Sequence, residues 1–404
     1  MAVARYAVEC PGCANGIILR VGVGLDDAQP FFFVCAKCKA ATRATQYVSL
    51  HPLPTTRLQL EAGEQLESED SCTQIVTIHP DMPAFADATS MADNGSPFLL
   101  QRQLLGADGL RQFQRRLRQF RDIVDHNWIS VRRWQTYYLE DDWARFDAVG
   151  ADLYEEQWPR EVDMLQRHDV MHRSLSLVSA PLWIKDTYLR MHEAFVDRLI
   201  KNSKQHPALC AYARKRVADG TIKDLQRDVF HCFNLLIENR AAILPGLAAE
   251  MYPEGHADAV KKLRLFRDDF PSLRDAYIAT FETAHHCLEL VFALDNINRR
   301  GDENAFTSGK PKDLKTFSKL TSAKKTELLG ILPEWQTLWP EVLDRNIRNA
   351  IGHHSIRHEL STGMLIMRGK SGLPYLEFVM QCVRVIQAAL ISANILKYYC
   401  ILAI

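Results

Sequence analysis

Over residues 3–50 the apolar positions fall in short runs, at 3–8, 17–23, 31–34 and 41–48, rich in β-branched and aromatic side chains and separated by Pro, Gly and Asp. This pattern predicts strands. From His51 to Pro97 the chain turns polar (EAGEQLESED, ADATSMADNGSP), and only 73–78 has the look of a strand, so residues 51–98 read as a linker. From Asp108 the period lengthens. Leu110, Phe113, Leu117, Phe120, Val124, Trp128 and Val131 recur at three- and four-residue steps, the stripe of a long amphipathic helix. Further helices are predicted over 153–177, 182–201, 207–217 and 222–242, broken at Pro181, Pro207, Gly220 and Pro245. A second helical unit opens at Ser272-Leu-Arg-Asp275, a capping-box pattern, with Tyr277, Phe281, Ala284, Leu288 and Val291 on one stripe. Short helices at 314–320 and 323–329 follow, then a helix from Pro340 through Ile351, a strand at 364–367 and a last helix from Tyr375. The predicted fold is mainly α: a β-rich ribbon (1–50), the linker, a central helical domain (99–262) and a C-terminal helical bundle with a hairpin-like insert (263–404).

The 404 residues exceed one ordinary domain, and 47% apolar with 24% charged residues is globular composition. Basic and acidic residues balance at 49 each, so any contact with nucleic acid has to be local. The N-terminus has no apolar run before its first cysteines, and the greasiest stretch, 379–404, is interrupted by Arg384 and Lys397. Both features read as a cytoplasmic protein without a membrane span.

Four of the ten cysteines form two pairs, Cys10-Pro-Gly-Cys13 and Cys35-Ala-Lys-Cys38, each where a strand turns. This is the spacing of two zinc knuckles, and four thiolates close a tetrahedron with no position left for water, so the predicted zinc is structural. Gly12 offers the positive φ that such a turn needs. Arg20, Lys37, Lys39 and Arg43, with Phe31–Phe33 as a stacking surface, are candidates for nucleic-acid contact, against the alternative of a bare folding module.

Residues 342–358 read VLDRNIRNAIGHHSIRH. On a helix Arg345, Asn349 and His353 share a face at one-turn steps, with Arg348 about 100° round from Asn349. A fixed cation, an amide and an imidazole at a helix end are the parts needed to cleave RNA: a base takes the ribose 2′-hydroxyl proton and cations stabilise charge on the phosphoryl oxygens, with no metal required. In-line displacement also needs an acid on the far side of phosphorus. A second protomer's His353 supplies one, with His354 or His358 as intramolecular substitutes.

At Arg348-Asn349-Ala350-Ile351-Gly352-His353 the sequence resembles the HEPN superfamily of helical ribonucleases and nucleotide-binding proteins. The resemblance runs from about residue 263 to 404. It implies a metal-independent endoribonuclease whose motif residues meet across a homodimer, with Arg348, Asn349 and His353 catalytic and Arg345 and His354 beside the RNA. It further implies a toxin-like or phage-defence role. Arg121-Asp122-x-x-x-His126 and Arg167-His168-x-x-x-His172 match the same spacing. The third copy is favoured by its Asn, its small neighbours, its helix end and the strand that follows.

The basic, aromatic-rich stretch from Arg111 to Trp134 reads either as an RNA groove or as the solvated face of a helix. Walker, dinucleotide, zinc-protease and α/β-hydrolase signatures are missing from the sequence. The competing reading is a catalytically silent zinc-ribbon adaptor that binds nucleic acid or a nucleotide.

Overall fold

The computed structural model describes residues 3–24, 26–49, 55–85, 96–154, 158–159, 161–183, 193, 201, 207–307, 309–329, 339, 342–353, 355–367 and 372–404. Most of the helix predicted over 182–201, and Pro340, lie outside them. The chain divides into two compact units. The first gathers Met1–Gln114, Asn239–Asp275 and Asn349–Val383; the second gathers Arg115–Glu238, Ala276–Arg348 and Arg384–Ile404. Each unit thus gathers three separate stretches of the chain.

The predicted strands form as β1 (Val3–Glu9), β2 (Gly16–Gly22), β3 (Ala28–Val34) and β4 (Ala41–Ser49). Within 51–98 the expected strand forms as β6 (Cys72–Ile78), which pairs parallel with β2, and an unexpected one, β5 (Thr55–Leu60), pairs antiparallel with β4. The sheets β1-β2-β6 and β3-β4-β5 enclose a core of Val8, Ile17, Leu19, Val21, Phe31, Phe32, Phe33 and Ile78. That core continues into the C-terminal third, since Phe266 belongs to it and Leu360 packs against it. Phe266 follows β8 (Leu263–Arg264), which pairs with β7 (Ala84–Phe85), and Leu360 sits at the turn between β9 (Ile356–Glu359) and β10 (Met364–Met367). The short strand β11 (Leu373–Pro374) completes the sheet β11-β10-β9.

The second unit is helical. The helix α1 (Pro97–Leu139) runs through both units with an interruption at Gly106, and buries Phe113, Phe120, Val124, Trp128 and Val131 as its stripe predicts. Arg111, Arg115, Arg118, Arg132 and Arg133 are on its exposed side, interleaved with no exposed aromatic ring, which favours a solvated face over an RNA groove. Then come α2 (Trp143–Tyr154), α3 (Met164–Ser179), α4 (Pro207–Ala218) and α5 (Thr221–Glu238), followed in the first unit by α6 (Arg240–Glu250). Pro245 lies inside α6 and does not end it. The helix α7 (Phe270–Arg300) starts two residues before the predicted cap; the Ser272 hydroxyl donates to the Asp269 carbonyl instead of closing a capping box. Its predicted stripe is fully buried, with Phe281, Ala284, Leu288 and Val291 at 0% exposure. After α8 (Leu314–Ser318) and α9 (Ser322–Leu329) come α10 (Arg345–Gly352) and the final α11 (Tyr375–Ala403). The last helix is long and apolar enough to cross a membrane, and 89% of its apolar window is buried inside the fold.

Candidate functional site

The two cysteine pairs converge. The Sγ atoms of Cys10, Cys13, Cys35 and Cys38 all lie within 4.8 Å of one another, with Cys10 to Cys38 at 3.6 Å and Cys13 to Cys35 at 3.7 Å. Thiolates bonded at about 2.3 Å to a tetrahedral ion stand about 3.8 Å apart, so the cluster fits a metal ion. Among the described residues it is the sole such cluster. Both knuckles use one hydrogen-bond pattern: Ala14 N–H and Lys39 N–H donate to the carbonyls of Cys10 and Cys35, while Cys10 N–H and Cys35 N–H donate to Asn15 and Ala40. The positive φ falls at Ala14 (53°) and Lys39 (64°), one residue after each second cysteine, and not at Gly12. At position 12 glycine leaves room, since a Cβ there would lie 3.3 Å from the Cys38 sulfur, a tight contact. The Ala40 N–H lowers the Cys38 thiol to about 7, whereas burial pushes Cys10 up to about 12.

Strand β6 clasps both knuckles. Gln74 accepts from Ala36 N–H at 2.8 Å and donates to the Val34 carbonyl, and the Thr73 hydroxyl donates to Asn15 at 2.9 Å. A sequence reading cannot assign these partners, because they stand 38 to 58 residues from the cysteine turns they hold. Phe31, Phe32 and Phe33 are 0–2% exposed, so they are core and not a stacking surface. Arg43 is committed to Asp268 at 2.6 Å, while Lys37 and Lys39 are exposed.

Helix α10 carries the Arg-Asn-x-x-x-His residues. Asp344 caps its start by accepting from Asn346 and Ile347 N–H, the Tyr277 hydroxyl donates to the Asp344 carbonyl, and Ser355 closes the other end by donating to the Ala350 carbonyl. Ile347, Ala350 and Ile351 are buried, which turns Arg345, Asn349 and His353 outward as the spacing predicts; all three are exposed. Arg348 is one-third exposed and directs Nε and Nη2 at one oxygen of Glu282, at 2.7 and 2.6 Å. This acidic partner, 66 residues away on α7, was not legible in the sequence; the signal available was its place directly after Phe281, as a half-buried carboxylate beside the core stripe. In the division into units Arg348 belongs to the second, and Asn349 and His353 to the first. His354 lies outside the described residues. His358 is no free acid: its side chain is 3% exposed, its Nδ1 meets Asp268 at 2.9 Å, and its ring packs on Tyr375 at 4.1 Å.

Of the other two matches, one is engaged and buried and the other sits on an exposed helix face. Arg167 pairs with Asp147 at 2.6 Å, and His168 hydrogen-bonds the Tyr138 hydroxyl. His172 is 2% exposed, and burial pushes it down to about 3. Arg121 pairs with Asp125 on the exposed face of α1, one turn from His126. Comparison with protein-family models, with curated proteins and with solved structures gives no match.

Proposed function

We propose that the chain is a metal-independent endoribonuclease of HEPN type, acting as a homodimer, and that the four-cysteine cluster is a structural zinc site. The observation that carries this reading is one helix end: Asn349 and His353 exposed a turn apart on a helix capped at both ends, with the neighbouring Arg348 held by Glu282. A neutral His353 takes the proton of the ribose 2′-hydroxyl, and the oxygen attacks the adjacent phosphorus. The bond to the 5′-oxygen breaks as the partner protomer's His353 protonates it, leaving a 2′,3′-cyclic phosphate and a 5′-hydroxyl. Arg348 directs two of its five N–H donors at Glu282, and the remaining edge is free to face the phosphoryl oxygens as negative charge builds. Glu282 is on this reading a positioning residue. Arg345, on the same exposed face as Asn349 and His353, is on this reading a further contact to the RNA backbone.

The experiment is RNA cleavage by purified protein in the presence of chelator, comparing the unaltered chain with His353→Ala. The unaltered chain should yield cyclic-phosphate ends and His353→Ala should not. An adaptor would bind RNA and leave both samples uncut.

A further inference from the structure

The second knuckle is the turn of the β3–β4 hairpin, whose last register pair is Val34 with Ala41. Two pairs further on, Phe32 faces Arg43, and these two residues grip the C-terminal third of the chain. Phe32 N–H donates to the Phe266 carbonyl at 2.8 Å, and its ring meets Phe266 at 5.7 Å and the edge of His358 at 6.0 Å. Arg43 binds Asp268 at 2.6 Å, and the other Asp268 oxygen holds His358 Nδ1 at 2.9 Å. The connector 263–269 thus holds on to both sides. Arg264 lies over the Phe32 ring at 5.4 Å and donates to the Leu360 carbonyl in the turn between β9 and β10. Arg267, 7% exposed, is fixed between Asp81 at 3.0 Å and Asp269 at 2.6 Å. The strand β9 that carries His358 begins three residues after His353.

We propose that metal occupancy of the four-cysteine cluster controls the order of the β9–β10 hairpin, and through it the placement of His353, with Arg43, Asp268 and His358 as the mechanical link. Without an ion, four thiols crowded within 4.8 Å lose the centre that closes the β3–β4 turn. The register then loosens from the end nearest Phe32 and Arg43. The hairpin keeps its Tyr375 stack and loses its hold on the ribbon. The consequence for catalysis rests on the ribonuclease reading; the link itself does not.

Hydrogen–deuterium exchange of the full chain decides it, with zinc bound and after chelation under reducing conditions. Peptides covering 356–367 should exchange about tenfold faster or more without metal, while α5 keeps its protection. Asp268→Ala with zinc still bound should loosen the same peptides and leave β1 and β2 protected. The proposal is overturned if chelation unprotects the ribbon strands while 356–367 is unchanged, or if Asp268→Ala leaves the hairpin as protected as before. RNA cleavage measured in parallel separates the readings. A chain that never cuts RNA but shows the hairpin response keeps the link and loses the ribonuclease. A chain that cuts RNA at one rate with or without metal, and shows no response, keeps the ribonuclease and loses the link.

Discussion

Acidification from about pH 7 to about pH 5 should weaken the fold through His172. Its side chain is 2% exposed and neither ring nitrogen has a hydrogen-bond partner. Burial, helped by the nearby Lys397 and His168, holds its pKa at about 3, against 6.5 for an ordinary histidine. A depressed folded value means that, between the two pKa values, the unfolded chain binds the proton and the folded chain does not. Stability is therefore full above the unfolded value and falls as the pH drops toward the folded one. At about pH 5 the unfolded imidazole is almost fully protonated and the folded one almost wholly neutral, a difference of about 2 kcal/mol, compared with about 0.2 kcal/mol at about pH 7. His172→Leu keeps an apolar side chain of similar size and discards two unpartnered nitrogens. Urea unfolding should find it about 1 kcal/mol more stable than the unaltered chain near pH 7, with the advantage growing by about 2 kcal/mol near pH 5. An advantage that stays the same at both pH values would refute a buried neutral His172. It would also reopen Arg167–His172 as a proton-transferring pair.

Other outcomes follow from the same structure. Arg267→Ala takes the guanidinium from two largely buried carboxylates and should cost about 3–5 kcal/mol, read in calorimetry as a melting point lower by about 6–20 °C; a loss under about 1 kcal/mol would mean the pair contributes no net stability. His353→Ala should cut RNA cleavage by about 10²- to 10⁴-fold while filter binding of RNA is nearly unchanged, and Arg348→Lys should cut the rate strongly with only a modest loss of affinity; equal losses of rate and binding in both variants would point to a binding site alone. Elemental analysis of protein purified under reducing conditions should give one zinc per chain, and Cys35→Ser with Cys38→Ser should abolish it; undiminished zinc in the double variant would place the metal elsewhere.

What could be read in the sequence was whatever depends on neighbours. Strands β1 to β4 announce themselves by short runs rich in β-branched and aromatic residues and the cysteine turns by spacing, and the α7 stripe was correct at every position named. Strand β5 escaped because only Leu58 of its six residues is buried, so its pairing with β4 leaves almost no period-two signal. The ribbon's closure was likewise hidden: Gln74, Phe266 and Asp268 are ordinary residues until the fold brings them to Val34, Phe32 and Arg43. At the candidate helix end the face of Arg345, Asn349 and His353 follows from helical geometry, whereas Glu282 as the partner of Arg348 and Asp268 as the partner of His358 are tertiary facts. The glycine of the first knuckle was seen and its purpose misread, because left-handed backbone at Ala14 and Lys39 is set by the turn's hydrogen bonds more than by residue type.

The sequence separation of 225 from Arg43 to Asp268 also sets a timetable for biosynthesis. At roughly 5–20 residues per second a ribosome needs roughly 10–45 s to deliver the connector after the ribbon strands have emerged. Throughout that interval the nascent β3–β4 hairpin carries Phe32 without Phe266 or His358 to cover it. The four cysteines are all delivered early, but the apolar face beside them is sealed only when the segment bearing Phe266 and then the segment bearing His358 arrive. A message broken before the last third therefore yields a ribbon with a bare aromatic side chain, a ready substrate for chaperones and proteases, and no Arg348 or His353. Completion of the ribbon and delivery of Arg348 and His353 are tied to the same late stretch of translation.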